Sequence, residues 1–351
     1  MRNVTEVTLF VVLQLSLYFL NILNICTSEL IDCIDAVIKK YGNLTRVIVG
    51  TDIFIVLTKP EDYKLVLTNV NGNYKSSVTQ TWEAILGDGI IRASVTTVGI
   101  QGIAHKDERD ILHKQKEYIS PRKPGNYTAL QYNNYNMTII QELKPIFYNY
   151  YDRVEQIRVN ASNKSYDIQN TITEATSFTM LMLAIHTDVQ EKLRQEILVT
   201  FNNDKIDVQR LLSMRYLYMV FQETLRLFPV VPLISRQLTG DIKLESCTLP
   251  EGCYVMIPIF AIHRNPMYWY KPLEFIPERF SSTRHRYTYI PFGMGLRDCI
   301  GQKYAFLFMA TIIVNLLRRF RFVTVGNLND VKTTTDIVLR LQHVKMSIFR
   351  I

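Results

Sequence analysis

The sequence predicts a mainly α-helical fold carrying small β-sheets. Three observations predict it. Long stretches after residue 188 keep apolar residues at helical spacing. Residues 230–260 instead interleave short apolar runs with Gly and Pro, as strands and turns do. The chain has 351 residues, 48% hydrophobic and 21% charged, an ordinary globular composition with enough apolar material for a substantial core.

The elements follow in order. Residues 8–26, "TLFVVLQLSLYFLNILNIC", carry no charge. At about 1.5 Å per residue they nearly span a hydrocarbon core of about 30 Å. No small-x-small cleavage site follows, so residues 1–28 are expected to be an uncleaved N-terminal anchor and not a signal peptide. "SELIDCIDAVIKKYG" is helical and stops at Gly42. "VIVGTDIFIVLT" is β-rich with a turn at Gly50-Thr51-Asp52, and "KPEDYKLVLTN" is a short helix opened by Pro60. Residues 105–119 are expected to be helical, 122–136 a loop, and 137–158 a tyrosine-rich helix. "DVQEKLRQEILVTF" begins with an acidic cap, Asp188, and "DVQRLLSMRYLYMVFQETLRLFP" runs as a helix to Pro229. "QKYAFLFMATIIVNLLRRF" is too apolar for an exposed helix, so it is expected to be buried. "DIVLRLQHVKMSIFRI" alternates and reads as a hairpin or edge strands. There is no internal repeat.

The net charge is +8, but no nucleic-acid-binding module gathers it, so no nucleic-acid partner is expected. The runs Arg284-His285-Arg286 and Arg318-Arg319-Phe320-Arg321 fit a solvated face or a docking surface for an acidic partner. Five cysteines (Cys26, Cys33, Cys247, Cys253, Cys299) have no framework or zinc spacing, which indicates a reducing compartment. The sequons at Asn43, Asn126, Asn136, Asn160 and Asn163 are then chance matches.

Two constellations carry chemistry. In "PFGMGLRDCIG", Gly293, Gly295 and Gly301 suggest a backbone that turns tightly or approaches something closely. Arg297 is a permanent cation near Cys299 and is expected to favour its thiolate. The plainer reading is a glycine-rich turn around a structural cysteine. In "ETLR", Glu223 and Arg226 share one helix face among Phe221, Leu225, Leu227 and Phe228. Charges in such company are partly buried and need partners, and Arg279 of "PERF" is a candidate third member. Gly293-Met294-Gly295 does not open a dinucleotide fingerprint, and neither His-Glu-x-x-His nor Gly-x-Ser-x-Gly occurs.

Together, Phe292-x-x-Gly295-x-Arg297-x-Cys299-x-Gly301, Glu223-x-x-Arg226 and Arg279 resemble the cysteine loop and structural charge triad of the cytochrome P-450 superfamily, the heme-thiolate monooxygenases. The resemblance runs through residues 177–351 and is weaker over 36–176. It implies the P-450 fold, heme b (iron protoporphyrin IX), and Cys299 as the axial iron ligand. It gives Arg297 and Arg236 to the heme propionates. Lys116, with Leu112, stands where the family has Trp-x-x-x-Arg, so that part of the heme grip departs from the pattern. "CIGQKYA" and "AIHRNP" resemble the microsomal family-4 type, whose substrates are fatty acids and related lipids. The resemblance further implies an NADPH-dependent flavoprotein reductase as electron donor, with Arg284, Arg286, Lys303 and Arg318 as candidate docking residues. It implies a place on the cytosolic face of the endoplasmic reticulum membrane. His263 is expected to be structural.

The resemblance breaks in the middle. Residues 177–192 are similar to the end of the family's distal, oxygen-binding helix. "YDIQNTITEAT" before them reads in two ways. Asn170-Thr171 can stand for the acid-alcohol pair of that helix, with Thr171 the one candidate catalytic residue. Alternatively the stretch resembles an earlier helix, and the chain jumps into the distal helix near Thr176-Ser177. The second reading leaves the fold incomplete between the early helices and the distal helix. The expected organisation is an anchor (1–28), a divergent, truncated N-terminal part (29–176) and a heme-binding part (177–351). Two functions follow as alternatives: a monooxygenase acting on a lipophilic substrate, or a chain without competent monooxygenase activity, either a non-catalytic heme-binding remnant or a shortened splice or gene-model product.

Overall fold

The computed structural model of the chain describes residues 27–49, 52–72, 74, 168–202, 204–282, 287–299, 301–335, 338–342 and 344–351. The 8–26 span, Lys116, the segments between 105 and 158 and the Arg284–Arg286 run lie outside these residues. Residues Met1–Ser77 and Asn170–Ile351 belong to one compact unit, and Val78–Gln169 to another. The described residues fall almost wholly in the first.

That unit opens with helix α1 (Thr27–Tyr41). Gly42 ends it at φ +90°, a left-handed value that favours glycine, and its N–H reaches the Ile38 carbonyl at 2.8 Å. Strands β1 (Leu44–Val49) and β2 (Asp52–Leu57) form an antiparallel pair in register from Leu44↔Leu57 to Val49↔Asp52. Phe54, Val56 and Leu57 are buried while Ile53 is exposed. Helix α2 (Pro60–Thr68) follows with Pro60 in its first turn.

After the undescribed stretch come α3 (Ile168–Ile185) and α4 (Thr187–Phe201). Helix α3 runs unbroken across Thr176-Ser177. Asp188 does not cap α4. The cap position is His186, which makes no side-chain capping bond, and Asp188 sits in the first turn, where its charge still meets the positive helix end. The expected single helix 207–229 is two: α5 (Val208–Ser213), capped by the Asp207 side chain, and α6 (Arg215–Leu227). The break at Met214 has a tertiary cause. The Glu196 carboxylate of α4 accepts from the N–H groups of Tyr216 and Leu217 at 2.8 and 2.9 Å, satisfying donors that a new helix start exposes.

Four strands follow: β3 (Ile234–Gln237), β4 (Ile242–Lys243), β5 (Thr248–Leu249) and β6 (Tyr254–Ile257). The main sheet has order β1-β2-β6-β3, with β2 parallel to β6 and β6 antiparallel to β3. The β2–β6 pairing joins the early chain to the late chain. It is closed underneath by a cluster containing Leu57, Tyr63, Leu67, Val255, Ile257 and Ile290. Each such aliphatic side chain contributes roughly 1.5–3 kcal/mol on burial.

Helix α7 (Ile259–Ile262) leads to an irregular segment and α8 (Gln302–Leu317). Helix α8 is buried from Met309 onward, as its composition requires, whereas Gln302, Lys303 and Tyr304 are exposed. The C-terminal stretch does not fold on itself. Strand β9 (Leu339–Leu341) pairs with β8 (Thr333–Thr335), and β10 (Met346–Arg350) pairs with β7 (Phe320–Thr324). Buried Gln190 locks β7 to α4: its amide accepts from the Phe322 N–H at 3.0 Å and donates to the carbonyls of Leu183 and Phe322, each at 2.8 Å.

Candidate cofactor-binding site

The charge triad is assembled by α6 and the irregular segment that faces it. Glu223 and Arg226 are both fully buried. Arg226 donates Nε and one terminal N–H to the two Glu223 oxygens at 2.7 and 2.8 Å. Its remaining donors reach the carbonyls of His263, Pro272 and Glu274. A guanidinium has five N–H donors, and all of them are used here. Arg279 gives Nε to Glu223 at 2.9 Å and its other N–H groups to the carbonyls of Tyr270, Lys271 and Glu274. The Ile276 N–H adds a further bond to Glu223 at 2.8 Å. The Arg226 guanidinium also lies over the Trp269 ring, 5.1 Å from its centre. The three residues thus form one saturated knot that ties α6 to residues 270–279.

His263 sits beside the knot with no solvent exposure. Its Nε2 accepts from the Ile290 N–H at 2.9 Å, and its ring stacks on Tyr289 at 5.2 Å. Burial, and then the Arg226 charge, push its pKa down to about 3, so the ring is neutral and an acceptor. This is a structural histidine that holds the irregular segment leading into the cysteine loop.

The loop itself is a glycine construction. Gly293 and Gly295 have φ of +75° and +78°. A Cβ on Gly295 would stand 1.9 Å from the Leu67 carbonyl oxygen of α2, so the backbone has room only for glycine. A short 3₁₀ turn covers Gly295–Arg297. The Cys299 N–H reaches back to the Phe292 carbonyl at 2.9 Å and closes the loop. Cys299 is exposed, two residues before α8's cap residue, Gly301. Its thiol is held above the ordinary range by desolvation within its loop. Asp298 adds to that shift, and a Gly301 backbone bond opposes it. The expected help from Arg297 is not among these influences, whereas the Arg297 charge does act on Arg236.

Arg236 lies on β3 and is only 5% exposed. One terminal nitrogen donates to the Ser235 carbonyl at 2.8 Å. Its Nε is buried with no hydrogen-bond partner among the described residues. Burial, and then the neighbouring Arg297 cation, push its pKa down to about 10. Arg297 is half-buried, and desolvation lowers its pKa as well. A buried cation with an orphaned donor beside a half-buried one fits an anionic edge such as a pair of carboxylates. Phe292 is half-buried and lines a hollow of about 40 Å³ with Tyr218, Phe221, Gln302 and Phe306.

On α3, Thr171 is half-buried in the helix's first turn. The buried Thr176 and Thr179 hydroxyls donate to the carbonyls of Ile172 and Ala175 at 2.7 and 2.8 Å, within the helix itself. No group of three or more His, Cys, Asp or Glu able to hold a metal occurs among the described residues. No helix among them is long and apolar enough to cross a membrane. Sequence reasoning missed Tyr63, whose hydroxyl donates to the Tyr287 carbonyl. A tyrosine whose partner is a backbone carbonyl far along the chain leaves no trace in the sequence.

Comparison with known proteins gives this arrangement a context. The Cytochrome P450 family profile matches residues 155–347, more than half of the chain. Mouse Cytochrome P450 3A13 is 43% identical over 155 residues, covering 43% of this chain and 31% of that protein. Cytochrome P450 3A19 of Capra hircus aegagrus is 39% identical over 158 residues, 44% of this chain and 72% of that protein. Cytochrome P450 4c3 of Drosophila melanogaster is 33% identical over 193 residues, 53% of this chain and 36% of that protein. The matched stretch therefore spans about a third of the length of the mouse and fruit-fly relatives. The family-4 likeness has a counterpart in the fruit-fly protein, and 3A proteins match at higher identity over a shorter stretch. The family implies heme b, and the residues present fit it: an exposed thiol on a glycine loop, and a buried arginine with an unfilled donor beside a half-buried one. The chain belongs to the cytochrome P450 superfamily.

Proposed function

We propose that this chain binds heme b through Cys299, with Arg236 and Arg297 on the propionates, and that it serves the insertion of one oxygen atom from O₂ into a lipophilic substrate. The observation that carries the reading is the Arg236–Arg297 pair, two desolvated cations with the buried Arg236 Nε left over. Heme with a thiolate ligand supplies O–O cleavage. The protein's own part is to hold the thiol-bearing loop rigid with Gly293 and Gly295, to neutralise the carboxylate edge, and to exclude water around it. Lys116 is a further propionate partner in this reading, and Phe292, Gly295 and Gly301 shape the loop. Glu223, Arg226 and Arg279 support it without touching it. The substrate class is a fatty acid or related lipid, and electrons come from an NADPH-dependent flavoprotein reductase. Residues 8–26 anchor the chain on the cytosolic face of the endoplasmic reticulum membrane.

A second reading, a heme-binding chain without competent turnover, is favoured by one observation. The Thr176 and Thr179 hydroxyls are tied to their own helix backbone, which leaves neither free to pass a proton across the helix. Thr171, in the first turn of α3, is the family-suggested candidate for that role. The full chain, expressed with a heme supply, separates the readings. Bound heme with a thiolate-type reduced carbon-monoxide spectrum, lost in Cys299→Ala, supports the site. Product formation with reductase and a fatty acid supports the activity, whereas heme binding with oxygen uptake and no product selects the remnant. Absence of heme binding overturns both.

A further inference from the structure

Helix α2 grips the approach to the cysteine loop at three points. The Tyr63 hydroxyl donates to the Tyr287 carbonyl, and Tyr63 is itself completely buried. The Lys64 ammonium lies over the Tyr287 ring, 4.4 Å from its centre. The Leu67 carbonyl occupies the space a side chain on Gly295 would need. Met294, between the two left-handed glycines, packs against the same apolar cluster that holds Tyr63, Val66 and Leu67. On the opposite side His263 fixes the Ile290 N–H. The segment 287–290 is therefore held from both sides just before it enters the loop, whose own closures are Gly293 to Ile290 and Cys299 to Phe292.

We propose that Tyr63 is a positioning residue for Cys299: its bond to the Tyr287 carbonyl fixes the segment 287–290 from which the loop starts, and so where the sulfur stands. The inference rests on the reading of Cys299 as the heme ligand. It assigns a role in that site to an early, sequence-distant helix that touches neither heme nor substrate. Burial keeps the phenol protonated far above its ordinary range, so it donates at any working pH. The Lys64 contact is the weaker partner, because an ammonium over a ring at an accessible place contributes little.

The test uses the full chain, with Tyr63→Phe and Lys64→Gln variants. Hydrogen exchange is followed in the heme-free protein at the Gly293 and Cys299 amides, with α6 and its triad as an internal reference. Tyr63→Phe keeps the packing and removes one hydrogen bond, so loop exchange should rise about fivefold while α6 is unchanged. Lys64→Gln should move it about twofold in the same direction. In the heme-loaded protein Tyr63→Phe should release heme several-fold faster and show a smaller thiolate-type fraction in the reduced carbon-monoxide spectrum. Unchanged loop exchange in Tyr63→Phe, or equal acceleration in α6, overturns the proposal. Should Tyr63→Phe fail to fold, Gly293 and Cys299 amides that exchange in the wild type as fast as unbonded loop amides overturn it, because no held loop is then present. Failure of the wild-type chain to bind heme removes the Cys299 reading, whereas the heme-free exchange still decides whether Tyr63 holds the loop.

Discussion

The knot of Glu223, Arg226 and Arg279 and the pair of Arg236 and Arg297 are both buried or partly buried arginine clusters, and they are opposites. In the knot a carboxylate stands between two guanidiniums and the Arg226 donors are all spent. In the pair, like charges face each other and one buried Nε has no partner. A closed cluster has nothing left to offer a ligand, so its work is structural. An open cluster is unfavourable alone and becomes favourable when an anion arrives. The same residue type thus serves architecture in one place and binding in the other. The difference lies in whether the protein completes the hydrogen bonds itself.

Breaking the knot should have the largest effect. Glu223→Ala strands two buried guanidiniums and should destabilise the chain by roughly 3–5 kcal/mol, a large share of a typical domain's stability. Soluble yield and thermal unfolding measure it. A variant that unfolds within a few degrees of wild type would show that the knot is not the anchor its bonds suggest.

Gly295→Ala should come next. The left-handed backbone alone costs roughly 1–2 kcal/mol in a non-glycine residue, and the Leu67 carbonyl must also move aside. Unfolding in denaturant should show a loss of this size or more, with heme retention falling further than global stability. Equal heme retention in the variant would mean that the close approach of α2 to the loop has no bearing on the site.

These two sites differ in how legible they were. The knot could be read from sequence because charges embedded in apolar residues must find partners, and Glu223 and Arg226 share a helix face. The glycines of the loop announced a tight backbone, but the neighbour that demands Gly295 is a carbonyl more than two hundred residues earlier, which no local pattern encodes. Arg236 emerged only through family resemblance, since a lone arginine on a short strand says nothing of its depth. The break at Met214 was invisible for a similar reason: the group that starts the new helix, Glu196, lies on another helix. Helical and strand periodicity was legible throughout the described C-terminal part. The strand partners were not, because pairing β10 with β7 is a choice among edges made by packing.

His263 allows the comparison to be tested by pH. Its folded pKa, about 3, lies below the ordinary value of 6.5. The unfolded chain therefore binds the proton first as pH falls. The stability this group contributes is complete above 6.5 and is lost progressively down to about 3, at roughly 1.4 kcal/mol per pH unit. From pH 7 to 5 the wild type should lose roughly 2 kcal/mol more than His263→Gln, whose side-chain oxygen can still accept from Ile290. Denaturant midpoints at both pH values provide the measurement. Parallel losses in the two proteins would mean that the ring is not held neutral.

The smallest stability change should come from the open pair, and there its sign matters more than its size. Arg236→Met removes a buried cation that repels Arg297 and leaves the long aliphatic stem in place. In the heme-free chain the variant should be neutral to roughly 1 kcal/mol more stable, since an apolar group of similar volume no longer has to be desolvated as a charge. In the heme-loaded chain the same substitution should weaken the complex about tenfold or more, the loss expected when one charge-assisted hydrogen bond disappears. Heme titration and thermal unfolding with and without heme measure both halves. An equivalent substitution in the knot, Arg226→Met, should destabilise both forms alike, because its partners are all protein groups. Opposite signs for Arg236→Met and equal signs for Arg226→Met are the signature of one binding cluster and one structural cluster. If Arg236→Met destabilises the heme-free chain, then Arg236 is completed by the protein after all and the pair belongs with the knot.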